Sequence, residues 1–120
     1  MSIILKISNV HDPISLEIGD DWIILVQCTN SDGSPMDLTG AGIEWKLVDP
    51  TTGTVLYTLT VGSGISVVTP NTLGQCVVWL TKVQSGTLVA KEYNDQVRVT
   101  TAAGLRSTQS RGRITAIAVY

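Results

Sequence analysis

The 120 residues fit a single domain, 1–120, and at that length folding hides roughly two thirds of the unfolded chain's surface around one core. With 43% hydrophobic and 15% charged residues, 11 Gly and no Phe, the composition suits short strands joined by tight turns and excludes a disordered chain. The net charge is only −2, no apolar run approaches the roughly 20 residues of a bilayer span, and Met1–Val10 lacks the pattern of a secretion signal, so neither a membrane partner nor export is expected and the product should be made in the cytoplasm.

Along the chain the period is two. Ile3, Leu5 and Ile7 alternate with Ile4, Lys6 and Ser8 in a first strand that ends at the loop His11-Asp12-Pro13. Gly19-Asp20-Asp21 introduces a second, in which Trp22, Ile24, Val26 and Cys28 alternate with the mostly apolar Ile23, Leu25 and Gln27, as a strand covered on both faces requires. Ile43, Trp45 and Leu47 against Glu44 and Lys46 form the cleanest inside/outside pattern, closed by the turn Pro50-Thr51-Thr52-Gly53. Val55, Tyr57, Leu59 and Val61 follow. Gly62-Ser63-Gly64 then breaks the ladder before the short run Ile65 to Thr69, and Pro70-Asn71-Thr72 turns the chain. Cys76, Val78 and Leu80 alternate with Val77 and Trp79. From Thr81 to Ala90 the period is lost, which predicts a loop or a single helical turn. Val97 and Val99 lie opposite Arg98 and Thr100, and Ala102-Ala103-Gly104 returns the chain as a hairpin into a last strand ending Ile114 to Tyr120. About eight strands with a turn every ten residues or so describe an all-β sandwich or barrel, with Ile24, Val26, Trp45, Leu47, Val78, Leu80, Val97 and Val99 in its core.

Between the second and third strands stands the polar stretch Asp32-Gly33-Ser34-Pro35-Met36-Asp37-Leu38-Thr39-Gly40. Together with Gly19-Asp20 before a strand and the Tyr-containing segment Tyr93 to Val99, it resembles the immunoglobulin-like β-sandwich modules of tailed-phage virion proteins. It is similar to the N-terminal domains of baseplate upper proteins and tail fibres. The resemblance covers about residues 16–119 and implies an immunoglobulin-like antiparallel β-sandwich of about eight strands. It further implies a virion building block, a tail, baseplate, collar or capsid-decoration component, that works through contacts with other virion proteins as a homo-oligomer or multi-copy subunit. It implies neither an enzyme nor a cofactor.

The residues themselves supply little reaction chemistry. Asp32, Gly33, Pro35, Asp37, Thr39 and Gly40 read as a structural turn, in which Asp37 and Thr39 can accept backbone N–H bonds; the rival, calcium held by Asn30, Asp32 and Asp37, lacks the bidentate Glu of an EF-hand loop. His11 beside Asp12 has no nucleophile elbow near it, and one His with two distant Cys makes no zinc set. Cys28 and Cys76 flank Trp45 in the immunoglobulin Cys, Trp, Cys order, which would put the thiols on strands facing each other across the sheets. Gly74 stands where the corner tyrosine belongs, however, and free buried thiols are expected. Gly62-Ser63-Gly64 lacks the Lys-Thr and the helix of a phosphate loop.

Arg106, Arg111 and Arg113 form a basic cluster, with Gly112 suggesting a β-bulge; without interleaved aromatics it suits a subunit contact better than nucleic acid. Arg111, Arg113, Ala116, Ile117, Ala118, Val119 and Tyr120 are the candidate contact, because the last strand is apolar on both parities while its guarding arginines stop at Arg113. Residues 1–60 sum to −6 and residues 61–120 to +4, an asymmetry that reads first as a mixed solvated surface and second as an interface between copies. The alternative to assembly is a carbohydrate-binding or host-adhesion module, for which Trp22, Trp45 and Trp79 could stack on sugar rings. All three sit inside apolar runs, so core packing is the expectation.

Overall fold

The computed structural model describes residues 3–7, 9–10 and 13–118. Its strands are β1 (Ile3–Ile7), β2 (Asn9–Val10), β3 (Ile14–Glu17), β4 (Trp22–Gln27), β5 (Gly42–Val48), β6 (Val55–Val61), β7 (Gly64–Val67), β8 (Gln75–Leu80), β9 (Glu92–Thr100) and β10 (Arg106–Ile117). They are hydrogen-bonded in the order β1-β4-β8-β7-β6-β5-β9-β10-β2, with β3 also on β10. One layer is β1-β4-β8-β7 and the other β6-β5-β9-β10. Between them the ladder is only two residue pairs long, Thr60 with Gly64 and Val61 with Ile65, and there the sheet folds over on itself. The result is an immunoglobulin-like β-sandwich whose main ladders, β4–β8, β7–β8, β5–β6, β5–β9 and β9–β10, are antiparallel. Parallel pairing is confined to that fold-over and to the strands added at the edges, β1 on β4 and β2 and β3 on β10.

Alternation decides which side chains meet between the layers. Ile24, Val26, Val78 and Leu80 from one layer and Trp45, Leu47, Val97 and Val99 from the other are all buried, as the period-two reading expects. Trp22, Leu16, Ile43, Tyr93 and Ile114 complete the core. Trp79 corrects the expectation for the tryptophans: it lies on the opposite parity of β8 from Val78 and Leu80 and is 49% exposed. The stretch 81–90 contains one helical turn, α1 (Lys82–Ser85), closed by a capping box in which the Thr81 hydroxyl accepts the Gln84 N–H and the Gln84 side chain accepts the Thr81 N–H.

The cysteines also depart from the sequence reading. Cys76 pairs in register with Val26 and the Cys28 N–H donates to the Gly74 carbonyl, so both thiols belong to β4–β8 of one layer instead of facing across the sandwich. Both are free and buried. The corner tyrosine is not displaced by Gly74; it is Tyr93, near the start of β9, whose hydroxyl donates to the Val89 carbonyl at 2.8 Å and accepts the Val89 N–H at 3.2 Å. Two residues further on, where such domains place their second cysteine, stands Asp95, 2% exposed and accepting the Trp45 indole N–H at 3.4 Å.

Candidate functional site

The polar turn is built from its own side chains. One carboxylate oxygen of Asp32 accepts the Ser34 N–H at 3.0 Å and its hydroxyl at 2.6 Å, and one of Asp37 accepts the Thr39 N–H at 2.9 Å and its hydroxyl at 2.7 Å. Thr39 therefore donates where acceptance was expected. Gly33 and Gly40 take φ of +86° and +68°, Pro35 bridges to Thr29, and Met36 and Leu38 plug the loop into the core. These bonds, the neighbouring hydroxyl first and the backbone N–H second, hold both carboxyls below the ordinary aspartate range, so a rigid, ionised, exposed turn caps this end of the sandwich.

The β9–β10 hairpin closes at the same end, where the Thr101 N–H donates to the Leu105 carbonyl and a Cβ on Gly40 would come within 3.4 Å of Ala102. Its ladder contains a β-bulge at Gln109, not at Gly112, which pairs in register with Asp95. Gln109 turns inward because its side-chain oxygen accepts the Thr29 N–H at 2.9 Å, and both it and Ser110 are buried in succession. Two inward residues in a row reset the parity of β10. Arg106 and Arg111, five apart and so on opposite faces of a regular strand, thereby share one outer face with Arg113. Register adds Arg98, opposite Thr108 on β10 and Glu44 on β5, and Lys46, opposite Gln96, to that face. Lys46 pairs with Glu44 at 3.3 Å and Arg113 with Glu92 at 3.4 Å, whereas among the described residues Arg98, Arg106 and Arg111 have no ion-pair partner.

Over this face runs an open groove of about 460 Å³, lined by Gly42, Lys46, Thr60, Val61, Arg98 and Arg106 among others. Sequence reasoning separated Arg98 from the arginine cluster because they lie on different strands. The alternation of Glu44 and Lys46 beside it was the signal, but only register sets those positions against Arg98.

The last strand is less open than its sequence suggests. Ile114 to Ile117 pair in parallel with Ile14 to Glu17 of β3, a strand the sequence reading missed although Ile14, Leu16 and Ile18 alternate with Ser15 and Glu17. Ala116 is taken into the core and so drops out of the candidate contact, while Arg111, Arg113, Ala118 and the 41% exposed Ile117 face outward. Val119, Tyr120 and His11 lie outside the described residues. On the other layer, Trp79 stands exposed with its indole N–H donating to Asp21 at 3.0 Å, and Asp21 also accepts the Lys82 N–H at 2.8 Å.

The fold has a near full-length counterpart. The N-terminal domain of phage TP901-1 ORF48 matches 95% of this chain and 98% of its own with a TM-score of 0.60 at 10% identity, a likeness of fold. AggA, the major subunit of the type I aggregative adherence fimbriae of Escherichia coli, overlaps 89% of the chain and 91% of its own at 14% identity with a TM-score of 0.46. Murine CRIg overlaps 90% of the chain and 92% of its own at 13% identity and 0.42. No family model matches the sequence, and no curated protein matches it.

Proposed function

We propose that the protein is a structural subunit of a tailed-phage particle, made in the host cytoplasm and carried in the virion in several copies, where it acts through contacts with other virion proteins. The observation that carries this reading is the end-to-end likeness to the phage ORF48 domain, together with the turn Asp32 to Gly40 on which the family resemblance rests. A tail, baseplate, collar or capsid-decoration position all suit a small sandwich whose exposed residues Arg111, Arg113, Ile117 and Ala118 lie along its last strand and just past it. Mass spectrometry of density-purified particles, combined with gold-labelled antibody against the chain, tests it. Labelling at one fixed place on the particle is expected; a chain found only in the infected-cell lysate would remove the assignment.

A second reading, an adhesion module that binds carbohydrate, is favoured by Trp79 alone. Its ring is exposed and its orientation is pinned by Asp21, which is the arrangement of a sugar-stacking platform. Titration of tryptophan fluorescence with host-wall glycans decides between the two, since quenching that disappears in Trp79→Ala belongs to adhesion.

A further inference from the structure

We propose that the basic groove over β5, β9 and β10 is a self-association site that receives the Asp32 to Asp37 turn of a second copy of this chain. The groove carries Lys46, Arg98 and Arg106 against Glu44, and Glu44 is occupied by Lys46, so two guanidinium groups face solvent without a carboxylate partner among the described residues. Arg98 is half-buried, Thr60 and Thr100 line the same groove, and a Cβ on Gly42 would meet nothing within 4 Å, which leaves room for an incoming side chain. A guanidinium recognises a carboxylate best when both are already oriented.

The turn supplies that counterpart. Asp32 and Asp37 are exposed, held ionised by Ser34 and Thr39, fixed in Asx geometry, and in ion pairs with no described residue. Each aspartate uses only one carboxylate oxygen within the turn, which leaves the other to accept from a neighbour. Asp32 and Asp37 belong to the half of the chain that sums to −6, residues 1–60, and Arg98 and Arg106 to the half that sums to +4, residues 61–120, so the turn would accept and the guanidinium groups donate. Both lie at the same end of the sandwich, so one two-fold axis can seat each turn in the other copy's groove and close the contact as a dimer. The absence of aromatics from the groove lining favours a protein carboxylate over stacked nucleic-acid bases.

This inference rests on the reading of the protein as a multi-copy subunit, and charge reversal tests it apart from that reading. The full chain, Arg98→Glu/Arg106→Glu and Asp32→Lys/Asp37→Lys are compared by sedimentation equilibrium, with circular dichroism as the check that each remains folded. The parent is expected to dimerise, with a dissociation constant raised at least about tenfold between about 50 and about 500 mM salt. Each variant alone should be monomeric, and an equimolar mixture of the two should form a heterodimer, because reversed turn meets reversed groove. A monomeric parent, variants that dimerise as well as the parent, or a mixture that stays monomeric overturns the proposal. So does a groove variant that loses affinity for a single-stranded oligonucleotide while its dimerisation is untouched. Incorporation into particles, measured in parallel, judges the subunit reading separately: a parent that enters particles as a monomer sinks the dimer and leaves the subunit.

Discussion

Gly74 joins the polar turn to the start of β8. It has φ +69°, and a Cβ there would lie 2.5 Å from the Cys28 carbonyl oxygen and 2.8 Å from the Met36 nitrogen, both backbone atoms that cannot swing aside. Its own carbonyl accepts the Cys28 N–H, and Met36 N–H donates to the Cys28 carbonyl, so the polar turn is anchored to β8 through this point. Gly53 has a similar φ of +73° but open space where a Cβ would go. Gly53→Ala is therefore expected to cost about 1 kcal/mol, the left-handed penalty alone. Gly74→Ala should cost about 3 kcal/mol or more in urea melts, because steric displacement of the turn adds to the same penalty. Equal costs would show that the turn is not held here. Beside this point, the hydrogen bond that Cys76 shares with Cys28, and then burial, push the Cys76 thiol far above the ordinary thiol range.

At the scale of elements, β9 and β10 organise the molecule. Tyr93 at the start of β9 ties Val89 back by two hydrogen bonds, and the Lys91 ammonium lies 5.7 Å from its ring while bonding Asp49 at 2.8 Å. Tyr93→Phe keeps the buried ring and removes only the hydroxyl, so it should cost about 1–3 kcal/mol by leaving the Val89 groups less well satisfied. Hydrogen exchange should report that loss at residues 86–91 before the core strands. The bulge at Gln109 works at the same scale, since it alone brings Arg106 onto the face of Arg111 and Arg113.

For the whole molecule, acid stability follows from four aspartates. Asp21 is lowered by the Trp79 indole and then the Lys82 N–H, Asp32 by the Ser34 hydroxyl, Asp37 by the Thr39 hydroxyl and Asp49 by the Lys91 ammonium, each from an ordinary value of 3.8. The unfolded chain takes up protons at these groups first as the pH falls, so protonation favours unfolding. Their stabilisation is complete above about pH 5 and is lost progressively as the pH drops through the depressed folded values. Urea midpoints should be flat from about pH 7 to about pH 5 and fall below about pH 4, with a shallower fall in Asp32→Asn/Asp37→Asn. An unchanged slope in that variant would place acid sensitivity elsewhere.

What the sequence by itself determined is the period-two alternation, and with it the class of fold and the inner face of most strands. Burial of Trp45, Leu47, Val78 and Val97 depends only on parity, and parity is local. The same alternation could not assign Trp79, because Val77 and Trp79 are as apolar as their inward neighbours and only the packing of the opposite layer chooses a face. Nor could it place the cysteines in one layer, assign the corner to Tyr93, pair β3 with β10, or bring Arg98 and Arg106 to one groove. Each of these depends on which strands become neighbours and in what register. Those are contacts between residues tens of positions apart, and the tertiary structure decides them through ladder hydrogen bonds and a core that closes only one way.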